Sequence, residues 1–196
     1  SHGSLAAMME MHKRDPASVA SRTVDVIIAG GGLNGLTLAI ALGGAGLDVA
    51  VVDREDPAKA VAATFDGRAS AIAAASVRLL RAIGIWGHVE ESQPILDIRV
   101  SDGDSPLFVH YDHTEVGAEA FGYMLENRLL RKAQQARLAE LPNVTLYAPA
   151  ALARLDRGPA RVTATLADGT RITAPLAVAA EGRRSPLRDA AGIGVS

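Results

Sequence analysis

Cysteine is absent from the 196 residues. Its absence excludes disulfides, thiolate-bound zinc, iron–sulfur clusters and thiol catalysis, and it fits a cytosolic protein. An excess of one charge is missing too: 20 Lys and Arg stand against 22 Asp and Glu, for a net charge of −2. Nucleic-acid binding is carried by clustered excess cations, so this balance argues against it. Aromatic residues are only 4% of the chain, and Trp86 and its few companions read as core rather than as a stacking platform. There are no internal repeats and no low-complexity linker. What remains is 48% hydrophobic and 21% charged, a globular mixture. At roughly 100–200 residues per domain, the length allows one full domain and part of a second, with a sizeable core.

The opening Ser1-His2-Gly3-Ser4 looks like a tag remnant. Residues 1–22 are read as that remnant and a flexible N-terminus and are set aside. No signal peptide is evident. The stretch 26–47 holds 22 residues without a charge, long enough to raise the question of a membrane span. Seven of them are glycine, three in a row at Gly30, Gly31 and Gly32. A spanning helix would break there, whereas a strand–turn–helix needs such residues.

Residues 25–29 form a short apolar run of the kind found in buried parallel strands. Residues 33–45 read as a helix with Leu36, Leu38, Ile40 and Leu42 on or near its buried faces, and 49–52 as a second buried strand closed by Asp53. This is a β-α-β unit. A second helix is expected over 70–83, stopped by Gly84, with Ile72, Val77, Leu80 and Ile83 inward. Segments 95–101 and 107–111 flank Asp102-Gly103 as an antiparallel hairpin. A charged amphipathic helix is expected over 127–141, ended by Pro142, then a strand over 144–147. Segments 151–155, 162–166 and 171–173 suggest a three-strand meander. A buried strand over 176–180 leads into Glu181-Gly182, and a helix starts near 185–190.

The chemistry concentrates where the first strand meets the first helix. Gly30, Gly32 and Gly35 give Gly-x-Gly-x-x-Gly at that turn. Gly30 permits the tight turn, Gly32 admits a pyrophosphate to the backbone, and Gly35 brings the helix close to the sheet. Leu33 and Asn34 then supply the free N–H groups of the helix start, where the dipole adds roughly 0.3–2 kcal/mol for an anion. Asp53 follows Gly35 by 18 residues, with Arg54 beside it. A carboxylate there accepts both hydroxyls of an adenosine ribose and repels a 2′-phosphate. The unit by itself fits FAD and NAD equally.

Other constellations are weaker. His110, Asp112 and His113 sit on a strand end and loop, with no third ligand in view, so no metal is expected. No nucleophile elbow supports Ser-His-Asp catalysis. No catalytic acid–base residue is named.

Three later segments bear on the choice of nucleotide: the stretch from Phe65-Asp66-Gly67-Arg68 to Ser76, Gly122 to Leu130, and Ala177 to Arg188 with Glu181-Gly182-Arg183-Arg184-Ser185. Together with the glycine motif they resemble the class A flavoprotein aromatic monooxygenases, nearest the UbiH/UbiF/UbiI group of ubiquinone-biosynthesis hydroxylases. The resemblance runs from about residue 23 to 196 and implies an α/β, Rossmann-like FAD-binding fold of the glutathione-reductase type. A three-strand meander and the first strands of an antiparallel substrate sheet come with it. It implies FAD-binding segments at 23–94 and 122–196, with partial substrate-domain strands at 95–121. It also implies that Arg68 contacts FAD phosphate or ribityl oxygens, that Asn127 or Arg128 faces the ribityl chain, and that Glu181 and Gly182 fill the place of a second, Asp-Gly fingerprint. Glu181 departs from that pattern, moving the carboxylate outward by one carbon–carbon bond.

The implied activity is hydroxylation of an aromatic, prenylated phenol intermediate of ubiquinone biosynthesis with FAD, NAD(P)H and O2. The implied location is cytoplasmic, compatible with peripheral contact to a membrane or a biosynthetic complex and with a homo-oligomer. A complete member carries a second half, including a Gly-Asp segment that has no counterpart here, so an N-terminal portion, inactive alone, is expected. The alternative is a stand-alone FAD- or NAD-binding module without oxygen chemistry.

Overall fold

Four consecutive apolar residues with no polar alternation need cover on both faces of a sheet. Val26–Ala29 and Val49–Val52 obtain it, and every residue of both strands is buried. The computed structural model describes residues 20–62, 68–103, 107–117 and 119–194. In chain order the strands and helices are β1 (Ser21–Thr23), β2 (Val26–Ala29), α1 (Leu33–Gly44), β3 (Val49–Val52), α2 (Pro57–Ala62), β4 (Ala69–Ala73) and α3 (Ala74–Ala82). After a short 3-10 turn at Trp86–His88 come β5 (Gln93–Ile95), β6 (Asp97–Ser101), β7 (Phe108–Asp112), α4 (His113–Val116), β8 (Gly122–Glu126) and α5 (Asn127–Ala139). The chain continues through β9 (Val144–Tyr147), β10 (Leu152–Arg157), β11 (Val162–Leu166), β12 (Arg171–Ala174), β13 (Leu176–Ala179) and α6 (Pro186–Ala190).

The central sheet is parallel, in the order β13-β2-β3-β9. Alternate side chains leave it on opposite faces. Val26, Ile28, Val49 and Val51 pack with Leu36 and Ile40 of α1, Leu129, Leu130 and Ala133 of α5, and Leu80 of α3. Ile27, Ala50 and Val52 pack with Ala164, Leu166, Ile172 and Ala174 of the second sheet. That sheet runs β1-β12-β11-β10, antiparallel except for the β1–β12 pair. The layers are therefore helices, parallel sheet and meander, the Rossmann-like arrangement expected.

Several elements differ from the sequence reading. Residues 70–73 are strand, not helix: β4 pairs antiparallel with β8, and only α3 from Ala74 onward is helical. The alanine-rich segment has good helix propensity, but the pairing outweighs it. Ser70 and Ile72 turn inward while Ala69, Ala71 and Ala73 stay exposed. β8 itself, unassigned in the sequence, is the middle strand of β4-β8-β5. Ser21 and Arg22, expected to be flexible, form β1 along β12, and Arg22 Nη1 donates to Thr145 Oγ1. The rest of the expected tag remnant, 1–19, lies outside the described residues, as do Phe65, Asp66 and Gly67. The hairpin is β6–β7, joining Asp97 to Asp112 and Ser101 to Phe108. Among the described residues no helix is long and apolar enough to cross a membrane. Trp86 packs on the helix-side core, edge-on to Tyr123 at 5.3 Å.

Two glycines set how closely these layers meet. A Cβ on Gly35 would lie 1.9 Å from the carbonyl oxygen of Gly30, so α1 can seat only without one. Gly30 has φ +105°, and a Cβ there would lie 2.5 Å from the Ala180 oxygen at the end of β13. Gly35→Ala must displace backbone rather than a side-chain tip. It is expected to lower stability by about 2–3 kcal/mol, read as a reduced urea midpoint at unchanged slope.

Candidate functional site

The three central strands end side by side, and their C-terminal turns enclose an open cleft of about 570 Å³. This is the place where an open α/β sheet binds ligands, beside the strand from which the chain departs in both directions. Its wall includes Gly30, Gly32, Leu33 and Asn34 after β2, Asp53 and Arg54 after β3, Arg68, Asn127 at the start of α5, and Glu181 and Gly182 after β13. These are ten of the twelve residues singled out from the sequence. Gly35 is buried behind the turn, where it packs rather than lines. Arg128 also stays off the wall: its Nη2 donates to Glu126 Oε2 at 3.3 Å, and its Nε is buried without a partner among the described residues. Of the two polar positions expected to face the ligand there, Asn127 is the one on the cleft.

The mouth of α1 is bare. Gly32 is the N-cap, no side chain caps the helix, and its first turn carries no acid. The first N–H groups are thus left to solvent or to an anion. Gly32 has ordinary extended geometry, φ −69° and ψ −176°, and a Cβ on it would meet nothing within 4 Å. Space rather than backbone conformation is what this glycine provides. Arg54 and Arg184 line the same cleft, exposed and without a hydrogen bond or ion pair among the described residues. A bare helix start, an open cradle at Gly32 and two unpaired guanidinium groups fit an anionic diphosphate.

Asp53 does more than wait for a ligand. Its Oδ2 accepts the Gly31 N–H, and its Oδ1 accepts the Glu55 N–H at 2.7 Å. A carboxylate has about four lone-pair directions, so roughly two remain for ribose hydroxyls. Gly31, passed over in the sequence as a mere member of the glycine run, allows this closure: a Cβ on it would lie 2.9 Å from Asp53 Oδ2. Asn127 Oδ1 accepts from Ser70 Oγ at 2.6 Å, which turns its amide nitrogen into the available donor. Its backbone N–H bonds Arg68 O at 3.2 Å, tying the Arg68 segment to the helix.

Sequence reasoning missed Arg131, which lines the cleft one helical turn after Asn127 and pairs with Glu55 at 3.4 Å. The spacing of four on the amphipathic helix was the available signal. Arg184, which also lines the cleft, was not singled out from the sequence as a site residue. The His110–His113 segment divides between separate partners: His110 Nε2 meets Asp97 Oδ1 at 2.8 Å, and His113 Nδ1 faces Leu96 O at 3.2 Å. Asp112 caps α4, and the Thr114 hydroxyl and N–H hold its carboxyl below the usual carboxylate value. Among the described residues no group of three metal-binding side chains occurs.

Comparison with known proteins decides the family. The family model described as "FAD binding domain" matches residues 23–196. The chain belongs to the FAD-binding domain family. It is 54% identical over 177 residues to ubiquinone hydroxylase UbiL of Rhodospirillum rubrum, covering 90% of this chain and 41% of that protein. It is 35% identical over 180 residues to 3-demethoxyubiquinol 3-hydroxylase of Escherichia coli, covering 90% of this chain and 46% of that one. The chain therefore spans less than half the length of these relatives. In fold it matches the crystal structure of PqsL from Pseudomonas aeruginosa, with TM-score 0.75 and 22% identity, over 89% of this chain and 47% of that one.

The two internal hydrogen bonds of Asp53 make it a fold residue as well as a cleft residue. Asp53→Ala leaves the Gly31 and Glu55 N–H groups without their acceptor. A loss of about 1–2 kcal/mol in chemical denaturation is expected. An unchanged midpoint would mean that the carboxylate does not hold the turn.

Proposed function

We propose that this chain is the FAD-binding portion of a flavin-dependent monooxygenase that hydroxylates an aromatic, prenylated phenol intermediate of ubiquinone biosynthesis, using NAD(P)H and O2. The observation that carries the reading is the uncapped mouth of α1, open at Gly32, in one cleft with the Asp53 carboxylate. Kinship with two ubiquinone-pathway hydroxylases supports this enzyme reading over a free-standing nucleotide-binding module.

In this reading the diphosphate lies against the Gly30–Gly32 turn and the N–H groups of Leu33 and Asn34. Asp53 accepts the adenosine ribose hydroxyls with its remaining lone pairs. Arg54 and Arg184 offset the diphosphate charge from either side, and Arg68 with the Asn127 amide holds the phosphate and ribityl end. Gly182 lets the backbone after β13 come close to the same ligand. Bound flavin would supply the redox chemistry of an NAD(P)H- and O2-dependent ring hydroxylation. The residues named here bind and orient, and none is assigned a proton transfer.

Segment 95–121 belongs, in this proposal, to the substrate domain. The hairpin β6–β7 has one mainly polar face, with Asp97, Arg99 and His110 and with Phe108 under the Arg99 guanidinium, and one apolar face, with Ile98, Val100, Val109 and Tyr111. All four apolar residues are exposed, from 38% to 55%. Such a face suits the cover of a hydrophobic substrate site, and segments 23–94 and 122–196 would hold the cofactor. Contact with a membrane surface or with partner enzymes would follow from a prenylated substrate.

Gly32→Val tests the central assignment. The new side chain enters empty space at an ordinary backbone angle, so melting temperature should stay within about 2 °C. FAD affinity, measured by flavin fluorescence in the full-length chain, should fall beyond detection. Retained affinity would overturn the diphosphate placement.

A further inference from the structure

The turn after β13 is held by a clasp that the glycine motif does not explain. Glu181 Oε2 accepts from Ser185 Oγ at 2.8 Å and from the Leu187 N–H at 3.3 Å. Ser185 is only 5% exposed, and its hydroxyl oxygen in turn accepts the Arg188 N–H at 3.2 Å. The Arg188 guanidinium closes the loop from the other end, donating to Arg183 O at 2.8 Å. The five residues between β13 and Ser185 are thereby tied at three points to Ser185 and the first turn of α6. The same turn touches the glycine turn across the sheet, since a Cβ on Gly30 would lie 2.5 Å from Ala180 O and 2.8 Å from Glu181 N.

Reach decides what Glu181 can do. One methylene fewer would pull the carboxylate back by about 1.5 Å, taking the Ser185 and Leu187 contacts beyond hydrogen-bonding distance. The full glutamate length is what spans from the end of β13 to α6. The other oxygen, Oε1, has no hydrogen bond among the described residues, although Glu181 borders the cleft. Two roles therefore compete: direct contact with a ligand through the carboxylate, and support of the turn that presents Gly182 and Arg184.

We propose that Glu181 is a positioning residue. By clasping Ser185 and the first turn of α6 it fixes the 180–185 turn, and it sets cofactor affinity through that turn rather than by ionic contact. The proposal rests on the flavin reading above. It assigns the charge of Glu181 to Ser185 and Leu187, away from a diphosphate that would repel it.

Length and charge variants separate the two roles in the full-length protein. Glu181→Gln keeps the reach and an acceptor oxygen but loses the charge. Glu181→Asp keeps the charge and loses the reach. Positioning predicts that Glu181→Asp weakens FAD binding by about tenfold while Glu181→Gln stays within about threefold of wild type. Ser185→Ala should match Glu181→Asp, and the double variant should be no worse than either alone. Amide exchange at Leu187 and Arg188 in the unliganded protein should quicken in Glu181→Asp and not in Glu181→Gln. The reverse ranking, with Asp tolerated and Gln not, would overturn the proposal in favour of direct contact, and so would wild-type behaviour of both. If wild-type protein bound no FAD, the flavin reading would fail, and amide exchange would still decide the clasp.

Discussion

Three backbones meet at the end of the parallel sheet more closely than side chains permit. Gly35 of α1 rests on the carbonyl of Gly30, and Gly30 rests on the carbonyl of Ala180 after β13. This stack aims the start of α1 over the ends of the strands, with its N–H groups facing the cleft. It also brings the turn after β13 beside the turn after β2. Were either contact looser by the width of a methyl group, the helix mouth would withdraw from the cleft and Asp53 would lose its grip on Gly31. The buried strand behind it makes the stack stiff, because Ile27 and Ile28 of β2 are packed on opposite faces with no exposed area.

Around that stack the charges are arranged by availability rather than by number. Arg131 is committed to Glu55, a partly exposed pair worth at most about 1 kcal/mol. Arg188 is committed to Arg183 O and Asp189. Arg54 and Arg184 are left uncommitted among the described residues on the cleft wall, where a diphosphate would find them. The near-zero net charge of the chain conceals this local surplus, so composition argued against nucleic acid but said nothing about a phosphate-bearing small molecule.

The strand–glycine–helix unit was legible because its requirements are local. An apolar run, a turn only glycine can make and a terminal acid are all readable within 30 residues, and the structure places them as read. The β4 strand was not legible, because what makes Ala69–Ala73 extended is a partner, β8, some fifty residues away. Alanine has no side-chain pattern by which to announce that partner. β1 was hidden for a similar reason: three residues next to an apparent tag take their structure from β12. Arg131 could have been found from its spacing to Asn127. The internal duties of Asp53 could not, since they depend on backbone N–H groups that carry no sequence signature, and those of Glu181 depend in part on another, at Leu187.

Those internal duties bear on how acidic residues at strand ends are understood. β3 and β13 flank β2, and each is followed within two residues by an acid. In both cases the carboxylate is first engaged with the protein: Asp53 with Gly31 and Glu55, Glu181 with Ser185 and Leu187. A carboxylate so engaged keeps its charge partly satisfied where a diphosphate would otherwise be repelled, and it holds the adjacent backbone in the form the ligand needs. The cost of removing it then falls on the turn and on affinity together. Substitution to alanine alone therefore cannot separate contact from support. Variants that exchange length for charge can, because reach serves the turn and charge serves the ligand.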